Sequence, residues 1–178
     1  RPLFESIAAD KGCKLHFAED TATDTNIDFE LKGTYQTKNI RTILNALNLL
    51  RQQTDIGDSA VAAGFANVCR LTGLMGRWQT LGEKPKVVCD TGHNLAGWLY
   101  LAPQIVQTHA DLNAANGGRS KLHIVFGMVD DKDINAVMNL LPRKATYYFC
   151  QASTHRAVPS AAIAEMAEGK GIKSNSYH

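Results

Sequence analysis

Lys86-Val87-Val88-Cys89-Asp90-Thr91-Gly92-His93-Asn94 decides the fold. A short buried strand runs straight into acid, glycine, imidazole and amide side chains, and a helical pattern follows at once. Leu95, Trp98, Leu99, Ala102, Ile105 and Val106 share one face of that helix, and Pro103 predicts a kink or a restart. The alternation then repeats: a strand over 122–126, a helix over 134–141, a strand over 146–150, and a helix over 159–168. Strand followed by helix, three times over, is the pattern of an α/β fold, with a Rossmann-like, mostly parallel sheet and crossover helices. Ligands of such sheets gather beyond the carboxyl ends of the strands, here 90–94, 127–130 and 151–154.

Upstream the pattern differs. A short helix is expected near 3–9, a strand over 14–17 and a loop over 19–26. From Thr37, read as an N-cap, Ile40, Ile43, Leu44, Leu47 and Leu50 recur at helical steps. A second helix opens at Asp58 or Ser59 and buries Val61, Phe65 and Val68. Gly73, Gly76, Gly82 and Pro85 then break the pattern and mark a boundary, giving domains 1–74 and 75–178. No internal repeat is visible.

The chain has 178 residues, 19 Lys+Arg against 17 Asp+Glu, a net charge of +2, and 44% hydrophobic residues. That is enough to bury a core, and it excludes a disordered chain. No basic stripe points to nucleic acid, and no apolar run approaches the roughly 18–20 residues of a membrane span. Arg1-Pro2-Leu3-Phe4-Glu5 has neither an initiator Met nor the apolar stretch of a signal peptide, so the chain reads as cut from something longer. Cys13, Cys69, Cys89 and Cys150 form no Cys-x-x-Cys pair and read as reduced, buried thiols of a cytoplasmic protein.

Several residues could carry chemistry. Asp90 at a strand tip can accept a ribose hydroxyl, Gly92 admits a ligand to the backbone, and His93 can donate to phosphate. Alternatively, Asp90 and Asn94 cap the following helix. Arg77, in Gly76-Arg77-Trp78-Gln79, can clamp a phosphate or carboxylate, or be a surface arginine of a linker. Asp130-Asp131-Lys132-Asp133 has the composition of a metal site, but Asp131 or Asp133 is better read as the cap of the helix near Ile134. His155 and Arg156 could reach an anion from a solvated loop. His16, His109, His123 and His178 share no ligand spacing and are taken as structural, so no metal ligand is assigned. Neither G-x-x-x-x-G-K-[ST] nor G-x-G-x-x-G after the first strand occurs, so a phosphate loop would have to lie outside this chain.

Taken together, these strings resemble the folylpolyglutamate synthase/dihydrofolate synthase family of the Mur ligase superfamily. Leu31-Lys32-Gly33-Thr34-Tyr35-Gln36-Thr37-Lys38-Asn39 is similar to the family's L-x-G-x-H-Q-x-x-N, and Gly76-Arg77-Trp78-Gln79 to its P-G-R-x-Q. Asp90 to Asn94 resembles D-G-A-H-N, Phe126-Gly127 with Asp131-Lys132-Asp133 resembles F-G…D-K-D, and Arg156-Ala157 matches a following R-A pair. The strings keep the family's order from about Leu31 onward, and the D-x-x-H-N form separates this branch from the peptidoglycan Mur ligases. Tyr35, Met75 and Leu95 depart from the family's His, Pro and Pro.

The resemblance implies the end of a central ATPase domain followed by a Mur ligase C-terminal domain truncated at its end. It implies ATP contacts from Asn39, Arg77, Asp90 and His93, with Arg77 and His93 catalytic. It also implies ATP and Mg2+ as cofactors, with the phosphate loop, metal ligands and modified lysine upstream of Arg1. The implied reaction is ATP-dependent addition of L-glutamate to folate through an acyl phosphate, by a cytoplasmic monomer, with this segment alone inactive. Two rivals stand beside it: a non-catalytic nucleotide-binding module, and an amide ligase acting on another acidic substrate in the manner of cyanophycin synthetases.

Overall fold

The structure, a computed structural model, describes residues 1–130, 132–172 and 174–176, the last three by their backbone. The chain divides into two compact units, Arg1–Lys32 with Gln36–Met75, and Gly33–Tyr35 with Gly76–His178.

The first unit is helical. Helix α1 spans Pro2–Asp10, α2 Gln36–Leu50, α3 Asp58–Ala66 and α4 Val68–Thr72. Its core is Phe29, Leu31, Ile40 and Phe65, with the two phenyl rings edge to face at 5.2 Å. Leu44 and Leu47 of α2 and Val61 of α3 pack against it, as their helical spacing requires, whereas Ile43 and Leu50 stay exposed. Glu30 ties the core to α4: its backbone N–H donates to Phe65 O at 3.0 Å, and its Oε2 accepts from Cys69 N at 2.6 Å. Two expectations are corrected here. Residues 14–17 are not a strand, because their alternation finds no partner strand among the described residues. Thr37 is not a cap, because α2 already begins at Gln36.

The second unit carries the α/β pattern. Strands β1 (Gln79–Glu83) and β2 (Lys86–Cys89) precede α5 (Leu95–Ala115). Then β3 (His123–Phe126), α6 (Ile134–Leu140), β4 (Thr146–Phe149), α7 (Ser160–Glu168) and β5 (Ser174–Ser176) alternate. Strands β3, β4 and β5 form a parallel sheet in that order. Strand β2 is not part of it. It pairs antiparallel with β1, a strand absent from the sequence reading, because only Lys84 and Pro85 separate the two and so short a link permits a hairpin alone. The hairpin is shallow, with Val87 43% exposed rather than buried.

Helix α5 runs unbroken through Pro103. The missing proline N–H frees the carbonyl four residues back, that of Leu99, on the side where Leu99 itself is 56% exposed. Trp98, Leu101 and Ala102 face the core, while Leu95, Leu99 and Val106 do not. Below them Ile124, Phe126, Tyr147 and Phe149 line one sheet face, covered by Val137 and Met138 of α6 and Ile163 and Ala167 of α7. Tyr147, Phe149, Val137, Met138 and Ile163 are fully enclosed, each large apolar side chain contributing roughly 1.5–3 kcal/mol. Tyr147 resolves its polar end by donating to Pro142 O at 2.7 Å, and burial pushes its phenol well above the ordinary tyrosine value. All four cysteines are free, and none is buried: Cys13 is exposed and the others half-buried. Among the described residues no helix is long and apolar enough to cross a membrane.

Candidate active-site loop

The hairpin and the start of α5 bring residues 76–79 against residues 90–92. Gly76 is buried and left-handed (φ +71°), and a Cβ there would lie 2.5 Å from Thr91 Cγ2, so only glycine fits. Its carbonyl accepts from Thr91 N at 2.9 Å and Thr91 Oγ1 at 3.1 Å, and its N–H donates to Gln79 Oε1 at 3.0 Å. Trp78 also takes a left-handed conformation (φ 51°), costing roughly 1–2 kcal/mol for a residue with a Cβ. Asp90 holds it there: Oδ2 accepts from Trp78 N at 2.7 Å and from Tyr35 Oη at 2.9 Å, and Oδ1 from Gly92 N at 2.8 Å.

Asp90 is therefore a three-donor clamp, not a helix cap. The cap of α5 is Asn94, whose Oδ1 accepts from Gly97 N at 2.8 Å. Arg77 donates through Nη1 to Thr91 Oγ1 and to Gly76 O, while its Nε and Nη2 have no protein partner among the described residues. His93 is exposed, with Nδ1 3.0 Å from Thr91 O. A carbonyl only accepts, so Nδ1 carries the hydrogen and Nε2 faces outward as an acceptor, becoming a donor only in the imidazolium.

The loops after β3 and β4 meet beside this end of the sheet. Val129 bridges Ala157, Asp130 N donates to Arg156 O at 2.9 Å, and Val158 N to Met128 O at 2.9 Å. Gly127 allows that approach, since a Cβ there would lie 2.8 Å from Cys150 O. Asp133 caps α6, its Oδ1 accepting from Ala136 N at 3.0 Å, whereas Asp131 lies outside the described residues. So does His178. His109 and His123 are structural: Nε2 of one meets Ser120 O at 3.2 Å, and Nδ1 of the other meets Tyr148 Oη at 2.9 Å. His155 and Arg156 are exposed on the loop after β4.

Of the residues read from the sequence, Arg77, Asp90 and His93 thus sit in one connected loop of the second unit. Asn39 belongs to the first unit, on the opening turn of α2, where its Nδ2 donates to Gln36 Oε1 at 2.7 Å. Tyr35, Trp78 and Thr91 were missed as members of the site. Tyr35 carried a signal, as a phenol standing where the resembled family has histidine; the backbone role of Trp78 carried none.

A parallel sheet with crossover helices, and a hydrogen-bonded Gly-Arg turn against the loop between β2 and α5, make the second unit an α/β domain of the Rossmann-like kind. Curated relatives and solved neighbours of the chain include folylpolyglutamate synthases and bifunctional folylpolyglutamate synthases/dihydrofolate synthases, the family that the motifs above resemble. The dihydrofolate synthase/folylpolyglutamate synthase of Buchnera aphidicola is 30% identical over 76 residues, 43% of this chain and 16% of that protein. Mycobacterium tuberculosis folylpolyglutamate synthase complexed with ADP superposes with a TM-score of 0.65 at 23% identity, over 84% of this chain and 31% of that one. A bifunctional folylpolyglutamate synthase/dihydrofolate synthase with Mn, AMPPNP and L-glutamate bound gives a TM-score of 0.66 at 18% identity, over 97% of this chain and 41% of that one. The chain thus matches well under half the length of each. No protein-family model matches it.

Proposed function

We propose that the chain is part of an ATP-dependent ligase that adds L-glutamate to a folate or dihydropteroate carboxylate through an acyl phosphate. The observation that carries this reading is the Arg77 guanidinium, held at one nitrogen by Thr91 and Gly76 and open at the others, in a fold shared with synthases bound to ADP and to AMPPNP with L-glutamate. A planar fork fixed along one edge and open along the other suits an anionic oxygen pair. On this reading Arg77 grips the transferring phosphoryl or the acyl phosphate and neutralises charge as it develops. His93, in its imidazolium form, donates from Nε2 to the same anion. Asp90 keeps the turn in shape and has one acceptor site left for a ribose hydroxyl, since a carboxylate offers about four. The family resemblance also assigns Asn39, on α2, a contact to the adenine edge.

The domain assignment follows: 1–74 as the end of a nucleotide-binding domain and 75–178 as the glutamate-ligating domain. ATP would arrive with Mg2+, whose ligands this reading puts outside the chain. The four free thiols suit a cytoplasmic setting, and a monomer is the working assembly.

The test uses the whole reading frame that contains these residues. Incubated with ATP, a reduced folate and labelled glutamate, the protein should extend the folate. Arg77→Ala should lower kcat about 10²–10³-fold, the size of losing one preorganised donor to a developing anion. Unchanged turnover in that variant removes Arg77 from the site. Nucleotide binding without any ligation, on folates or on short acidic peptides, would instead favour a non-catalytic nucleotide-binding module.

A further inference from the structure

A cleft of about 500 Å³ opens at the amino-terminal ends of β3 and β4, lined by His109, Ser120, Lys121, Arg143, Lys144 and Thr146 among others. It lies at the opposite end of the sheet from the Arg77 loop, which adjoins the carboxyl ends through Trp98 and Phe126. Among the described residues no carboxylate lines it. Lys121, Arg143 and Lys144 enter no ion pair among the described residues. Three unneutralised cations around one concavity raise its potential and draw counter-charge from solution.

The backbone that presents these cations is held rigidly. Ser120, immediately before Lys121, takes four hydrogen bonds: its N–H to Asn113 Oδ1, its hydroxyl with Leu112 O and Asn116 Nδ2, and its carbonyl with His109 Nε2. Arg143 is fixed by donating Nη1 to Lys170 O at 2.7 Å. Thr146 N donates to Leu122 O at 2.9 Å and locks the two strand entrances together. Helices α5, α6 and α7 all end on this side, and their partial negative charge favours nearby cations. That accounts for Arg143 on a carbonyl just past α7. It does not account for Lys121 and Lys144, which hydrogen-bond to no helix end among the described residues.

We propose that this cleft binds a small polyanion carrying two or more phosphate or carboxylate groups, at a site separate from the Arg77 loop. Cations without counter-charge among the described residues suit oxygens spread over several ångströms, and charge-assisted bonds to them are the stronger kind. The proposal does not depend on the ligase reading.

The 178-residue chain is titrated by NMR with inorganic tripolyphosphate and, separately, with a linear glutamate trimer. Saturable binding should shift the amides of 120–122 and 143–146. The double variant Lys121→Gln, Lys144→Gln should weaken it at least about tenfold, as expected for losing charged partners, and raised salt should weaken it further. Arg77→Ala should leave it unchanged. Binding of tripolyphosphate alone identifies the phosphate source, and binding of the trimer alone the carboxylate source. Failure of both to saturate in the millimolar range overturns the proposal. So does a shift map centred on 76–94, or an affinity the double variant does not move. Both lysines are exposed, and the wild-type shift map decides the matter even if that variant misfolds.

Discussion

Gly76 and Asp90 set the geometry of the Gly-Arg turn from opposite sides, and each allows a quantitative expectation. Gly76→Ala must adopt a left-handed conformation and push against Thr91 Cγ2. The backbone share alone is roughly 1–2 kcal/mol, so urea unfolding should show a loss of about 2 kcal/mol or more. Asp90→Asn keeps the shape but leaves an amide NH2 facing donors from Tyr35, Trp78 or Gly92. It should cost about 1–3 kcal/mol, the range for an unsatisfied partly buried donor. Tyr35→Phe removes only one of the three donors and should cost less; equal losses in the two variants would show that the clamp does not act through Asp90. Arg77 and His93 could be picked out from the string of polar residues beside a strand. The clamp could not, because two of its three donors are backbone N–H groups, which no side-chain pattern reports.

At the scale of elements, helix periodicity and strand alternation marked β3, α6, β4 and α7 to within a residue or so, because each buries a full face and its apolar residues must recur in step. The same logic failed at 86–89. Lys-Val-Val-Cys reads equally as a central parallel strand or as one arm of a hairpin, and the partner Gln79–Glu83 hides in glycine-containing polar sequence. It failed at 14–17 too, where alternation exists without a neighbour to pair with. Sheet and helices bury Phe149 completely, stacked on Tyr147 with ring centroids 5.8 Å apart and edge to face with Phe126 at 6.1 Å. Phe149→Ala should therefore destabilise the second unit by about 3–5 kcal/mol in chemical denaturation. Tyr147→Phe leaves Pro142 O without its donor and should cost about 1–2 kcal/mol. Because burial raises the folded-state value of this phenol, its contribution is intact below the ordinary value of 10.0 and is lost as pH rises above it. The alkaline slope of stability should accordingly flatten in Tyr147→Phe.

Across the whole molecule, the thiols give a direct check on the fold. Cys13 is exposed, while Cys69 is half-buried, and desolvation, with Glu30 alongside, raises its thiol above the ordinary value. Alkylation near neutral pH should modify Cys13 first and Cys69 late, and all four thiols should react once the chain is unfolded. A Cys69 that reacts as fast as Cys13 would contradict the packing of α4 on Glu30. The division into two units has an optical consequence as well. Both tryptophans and every tyrosine among the described residues (Tyr35, Tyr100, Tyr147 and Tyr148) fall in the second unit, leaving the first with phenylalanine alone. Trp78 lies in the arginine turn, and the Trp98 indole donates to Gly92 O. Excited at 295 nm, the chain therefore emits only from around its candidate site: intrinsic fluorescence would follow the loop and stay silent while the helical unit melts, a transition that far-ultraviolet circular dichroism would still record.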